Sequence, residues 1–216
     1  MTPEFAEAVD PIFMRVLGLL ERIDRGENPS AENERLHIRG FLDQAEARLG
    51  QREDWRLAKY ALISWVDEVL IDAPWNNRGW WENNSLEFEL CTTRQRANEF
   101  YLKAKEASTL TCKDALEVFY VSVVLGFRGV YRNPEDASTL SDLFQLPPDL
   151  ESWAKQTSLS IQLGQGRPPI SEESISIEGA PPLEGPFLLI WAIMAGIGLS
   201  VFIVLFVWFF LMPGGS

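Results

Sequence analysis

Apolar residues recur at steps of three and four along most of the first 157 positions, which is the period of helices that bury one face. Phe5, Val9, Ile12, Phe13, Val16, Leu17, Leu20 and Ile23 mark such a face on a first helix ending near Gly26, unless Asp10-Pro11 is its N-cap and first turn. Ser30 then caps a second helix reaching Leu49-Gly50, with Leu36, Ile38, Phe41, Leu42, Ala45 and Leu49 as its apolar positions. A third is predicted over 52–71, burying Trp55, Ala58, Leu62, Trp65, Val66 and Val69 before Pro74 stops it. The segment 72–84 reads as a loop that gathers Trp75, Trp80 and Trp81 among asparagines, and Ser85 can cap the next helical segment. Further helices are predicted over 94–107, with Ala97, Phe100, Tyr101 and Ala104 on one side, and over 112–127, opened by a capping-box variant of Thr111 and Asp114. Asn133-Pro134 opens another to about Leu146, Pro147-Pro148 breaks it, and a short helix is predicted over 149–156.

The pattern changes twice after that. Residues 158–186 shift to Ser, Pro, Gly, Glu and isolated Ile with no sustained period, the composition of a flexible linker whose reach is on the order of 30 Å. From Phe187 to Met212 there are 26 residues without one Asp, Glu, Lys, Arg or His. At about 1.5 Å per residue a helix of that length exceeds the ~30 Å hydrocarbon core, so a single membrane span is expected at 187–212, with 213–216 as a short periplasmic tail. Ala192, Gly196 and Ser200 recur every four residues on it and form a small-residue face suited to close helix contact, against the alternative of a plain lipid-facing helix. Every charge precedes the span, and the first residues show neither a basic region nor an apolar run of a signal peptide. The expected topology therefore keeps residues 1–157 in the cytoplasm.

Charge and chemistry narrow the reading. A net charge of −12 argues against binding a phosphate backbone, and an electrostatically steered partner should be basic. Cys91 and Cys112 belong to no metal-ligand spacing and read as reduced, half-buried residues, while His37 is the sole histidine. No cofactor, metal or small-molecule substrate is expected.

Three segments carry a resemblance. Arg56-Leu-Ala-Lys-Tyr60 leads through an aliphatic run to Asp67-Glu68, followed by Trp75, Trp81 and Ser85-Leu86; Glu99-Phe100-Tyr101 comes next; and Leu125-Gly126-Phe127-Arg128-Gly129-Val130-Tyr131-Arg132 closes an apolar helix. In order and spacing these resemble the DotU/TssL family, tail-anchored inner-membrane subunits of type VI and type IVB secretion systems. Val130 stands where the family often has a basic residue, and the stretch 94–98 lacks a usual glycine. The resemblance implies an all-α fold: a cytoplasmic helical domain of two packed three-helix bundles, hook-like with a cleft between them. It also implies a homodimer and two partners, a TssM membrane protein of the IcmF family and a TssK baseplate subunit.

Two functions are weighed. In the first the chain is a scaffold, most simply of a type VI system with a type IVB subunit as the alternative, that fixes the baseplate to the inner membrane and offers Asp67, Glu68, Trp75 and Trp81 to a partner. Against that stands an internal role for the acidic pair: adjacent residues diverge by about 100° on a helix, so one could pair with Arg56 or Arg78 while the other faces the cleft. Gly126 and Gly129 read as helix-end residues, with Phe127 and Tyr131 as core anchors. The second function is a membrane-tethered glycan hydrolase using Asp67, Glu68 or Glu82 beside the tryptophans; it requires carboxyls facing each other across an open groove.

Overall fold

A computed structural model describes residues 1–133 and 143–164, together with residues 137, 139, 141, 194, 200 and 203–206. Among them the secondary structure is helical throughout, with no strand. The chain divides into two compact units, residues 1–167 and 168–216.

The first unit is built around one buried helix. Helix α1 spans Pro3–Asp24 and carries Pro11 in its interior, so the helix starts at Pro3 and not at the Asp10-Pro11 step. Its buried face is Phe5, Val9, Ile12, Phe13, Val16, Leu19 and Ile23. Helix α2, Ala31–Leu49, is capped by Ser30, whose hydroxyl accepts from Asn33 N–H, and ends at Gly50 with φ +68°. Its face against the core is Ile38, Leu42, Ala45 and Leu49, preceded by Glu34. Leu36, two residues and thus about 200° from Ile38, is exposed, contrary to the predicted face. In its place the buried Glu34 carboxylate receives Arg15 and Arg22 from α1, the latter at 2.9 Å.

Helix α3, Glu53–Asp72, is buried nearly all round. A helix apolar on every side belongs at the centre of a helical domain, and α3 packs against α1 and α2 on one side and against α6 (Arg96–Thr109) and α7 (Asp114–Val124) on the other. Short helices α4 (Arg78–Asn83), inside the predicted loop 72–84, and α5 (Leu86–Cys91), the helical segment expected after Ser85, also lie on it. After α7 come a 3-10 turn, Gly129–Arg132, and α8, Leu150–Gly164, which packs on α7. Helix α3 thus lies between the α1–α2 pair and the group of α6, α7 and α8, packing most extensively on α6 and α7.

Two boundaries move. Helix α8 runs eight residues past the predicted end at Gln156, because Thr157 and Ile161 continue its buried stripe, so residues 158–164 are helical where the linker is expected to begin. Helix α7 has Lys113 at its N-cap and no side-chain cap. Instead of closing a capping box with Thr111, Asp114 accepts from Thr2 N–H at 2.8 Å and Thr2 Oγ1 at 2.5 Å, clasping the start of α1 to α7. Of the predicted helix over 134–146, residues 137, 139, 141, 143 and 144 are described and helical, while Gln145, at φ +54°, and Leu146 lie past its end. The segment 165–186 lies outside the described residues, as does most of the predicted span. Its described positions, 194, 200 and 203–206, are helical, whereas Ala192 and Gly196 are outside. No helix among the described residues is long and apolar enough to cross a membrane.

The Asp114 clasp is testable. Asp114→Ala leaves the Thr2 donors without their acceptor and is expected to lower stability by about 1–2 kcal/mol, read as a drop in the urea midpoint with an unchanged m-value.

Candidate functional site

The two carboxylates in the last two turns of α3 are both buried, and each holds the start of a different element. Asp67 Oδ1 accepts from Trp81 Nε1–H at 3.0 Å and Leu86 N–H at 2.9 Å, while Oδ2 accepts from Glu87 N–H at 2.8 Å. It therefore takes up the first N–H groups of α5 and pins α4 through a tryptophan. Burial pushes the Asp67 carboxyl above the ordinary aspartate value, and the N–H groups of Glu87 and Leu86 pull the other way.

Glu68, about 100° further round, serves the opposite side. Its Oε1 accepts from Arg128 N–H at 2.8 Å and Gly129 N–H at 3.2 Å, and Arg132 Nη2 stands 3.0 Å away. Arg132 also forms a fork on Asp72, with 2.8 and 2.6 Å contacts. Its guanidinium is held above the ordinary arginine value by Asp72 and, after the opposing effect of burial, by Glu68.

The glycine-rich segment that Glu68 receives is shaped by α7. Phe127 N–H donates to Ser122 O and Gly126 N–H to Val123 O, both at 3.0 Å, with Gly126 at φ +111°. That is the paired closure of a Schellman motif, which needs a left-handed residue at its centre. Gly129 has φ +51°, and a Cβ there would stand 2.8 Å from Ala97 O, so the turn is pressed against α6. Phe127 stacks on Phe100 at 3.8 Å, and Tyr101 meets Tyr131 at 4.9 Å and Trp153 at 5.2 Å. Tyr101 Oη donates to Arg128 O at 2.8 Å and Tyr131 Oη to Pro147 O at 2.7 Å. Burial pushes the Tyr131 hydroxyl up to about 12.

A third buried carboxylate is one that sequence reasoning misses. Glu87 is fully buried, and its Oε1 accepts from Tyr60 Oη at 3.0 Å, Thr93 Oγ1 at 2.9 Å and Gln95 N–H at 2.9 Å. Arg96 approaches its other oxygen at 3.7 Å. The signal available is the position of Glu87 between Leu86 and Phe88, an acid inside an apolar run, which demands buried donors. Tyr60 thus works on this network. Arg56 does not reach the acidic pair: it is exposed and bonds Glu53 and Glu106 at 2.6 and 2.7 Å.

These placements correct the expected partner contact. Asp67 and Trp81 have no exposed surface, and Glu68 and Trp75 are 4 and 8% exposed. Trp75 Nε1–H donates to Leu70 O at 2.8 Å, and the three tryptophan rings pack on one another at 6.2 and 6.4 Å. The four side chains brace the fold, and the internal role of the acidic pair is the one that the geometry realises, with Arg132 in place of Arg56 or Arg78. Beside Glu68 lies a groove of about 410 Å³, lined by Asp72, Arg78, Arg94, Arg96, Asn98, Gly129 and Arg132 among others. Asp67 and Glu68, engaged as backbone acceptors, do not face each other across it.

The profile of the type VI secretion system protein DotU matches residues 5–212, and the chain belongs to this family. The structure is similar to the cytoplasmic domain of TssL from Acinetobacter baumannii, with a TM-score of 0.57 at 20% identity, covering 74% of this chain and 98% of that one. No curated protein matches the sequence.

Two substitutions test the site. In Asp67→Asn one amide NH2 faces the Glu87 N–H, so a loss of about 1–3 kcal/mol is expected, with faster amide exchange at Leu86 and Glu87 than at Arg128 and Gly129. Gly129→Ala is expected to lower the melting temperature more than Gly26→Ala. Both have positive φ, but a Cβ on Gly26 meets nothing within 4 Å.

Proposed function

We propose that this chain is a tail-anchored inner-membrane subunit of a type VI secretion system, holding its helical domain on the cytoplasmic side as a docking platform for the secretion apparatus. The observation that carries the reading is the extent of the family match. It runs over residues 5–212 and so takes in the uncharged run 187–212 together with the helical domain. That the similar TssL structure is described as a cytoplasmic domain supports the same side of the membrane for this one.

The partners that fit are a TssM membrane protein of the IcmF family and a TssK baseplate subunit, with a second copy of the chain joined through the Ala192, Gly196 and Ser200 face. Docking uses the surface that the buried acidic pair organises, not the pair itself. A structural role without catalysis is supported by the use of Asp67 and Glu68 as backbone acceptors. The family description favours a type VI over a type IVB system.

The test combines location with secretion. Alkaline phosphatase fused after Ser216 is expected to be active, the same reporter before Thr2 inactive, and a chain ending at Pro186 to leave the membrane fraction and reduce type VI secretion to background. Unimpaired secretion by that shortened chain would overturn the anchoring role.

A further inference from the structure

The groove beside Glu68 has a charge opposite to that of the chain. Arg78, Arg94, Arg96 and Arg132 line it against two carboxylates, Glu68 and Asp72, although acids outnumber bases 31 to 19 in the whole sequence. The arginines are not equivalent. Arg132 is forked on Asp72 and touches Glu68, and Arg96 stands 3.7 Å from Glu87. Arg78 and Arg94 are exposed and have no carboxylate partner among the described residues; Arg94 lies over the Phe88 ring at 4.6 Å. By contrast Arg15, Arg22, Arg25, Arg35, Arg39, Arg48, Arg52 and Arg56 each meet an Asp or Glu.

We infer that this groove is a docking site for a short acidic segment of a partner protein, with Arg78 and Arg94 as the forks that receive its carboxylates. Guanidinium matches carboxylate or phosphate geometry bidentately, and Arg132 on Asp72 already displays the carboxylate version at 2.6 and 2.8 Å. The carboxylate is chosen over phosphate because the groove already holds one, Asp72, in the forked geometry. The net charge of −12 adds a second filter, because a broadly acidic partner is repelled before contact whereas a few carboxylates on a neutral or basic surface are not. Long-range steering and local recognition thus select different features of one partner. This goes beyond the scaffold reading, which leaves the docked chemistry open.

The experiment uses the full chain in detergent micelles and follows arginine NHε signals by NMR. Acetyl-tetraglutamate amide is expected to shift Arg78 and Arg94 saturably, while acetyl-tetraglutamine amide leaves them in place. Arg78→Gln with Arg94→Gln is expected to weaken the tetraglutamate affinity at least tenfold, read on the Ala97 and Val130 amides. Arg25→Gln with Arg48→Gln, exposed arginines elsewhere, should leave it unchanged. Equal shifts with the glutamine peptide, or undiminished affinity in the Arg78/Arg94 variant, would overturn the proposal. Inorganic phosphate that displaces tetraglutamate at equal concentration would overturn the choice of a carboxylate ligand.

Discussion

A helix buried on nearly all sides has no room for an unpaired charge, yet α3 carries Asp67 and Glu68 in its last two turns. Carboxylates removed from water need donors close by, and here the donors are the backbone N–H groups at the starts of two neighbouring elements. The need is mutual. Short helix α5 and the 3-10 turn have first-turn N–H groups of their own to satisfy, and neither is long enough to be stable alone. Because adjacent residues diverge by about 100°, one dipeptide reaches both. The groove, its arginines and the aromatic stack of Phe100, Phe127, Tyr101 and Tyr131 all take their positions from this arrangement.

Helix existence is readable in the sequence because burial leaves a period, and most of the aromatic positions fall in the core where that period puts them. Misreadings arise where contacts distant in sequence replace local chemistry. Thr111 and Asp114 have capping-box spacing, but Asp114 turns to Thr2, more than 100 residues away along the chain. Leu36 is as apolar as its neighbours and simply lies on the wrong side of α2. Asp67 and Glu68 look like recognition residues because two adjacent acids near tryptophans suggest a wet cleft. Only the placement of α5 and the 3-10 turn, which no local pattern encodes, turns that cleft into an interior. The opposite error concerns Arg78, Arg94 and Arg96, which pass as ordinary surface charge until the fold gathers them.

Net charge describes what a molecule attracts from afar, over distances comparable to the Debye length of about 8 Å at physiological salt. Recognition happens below that distance, where the groove's arginines outweigh a surplus of acids spread elsewhere. A sequence total of −12 is therefore a poor guide to what any one face binds.

The span between Glu68 and Gly129 has a temporal side. They are 61 residues apart, so at roughly 5–20 residues per second the ribosome needs about 3–12 s to deliver the turn after the acid that receives it. During that interval the large apolar surface of α3 is exposed with its carboxylates unreceived. Helices α1 and α2 can shield one side, but the other stays uncovered until α7 and the turn are made. For this chain, synthesis itself contains a window in which a chaperone or a neighbouring nascent chain competes for the surface that later becomes its centre.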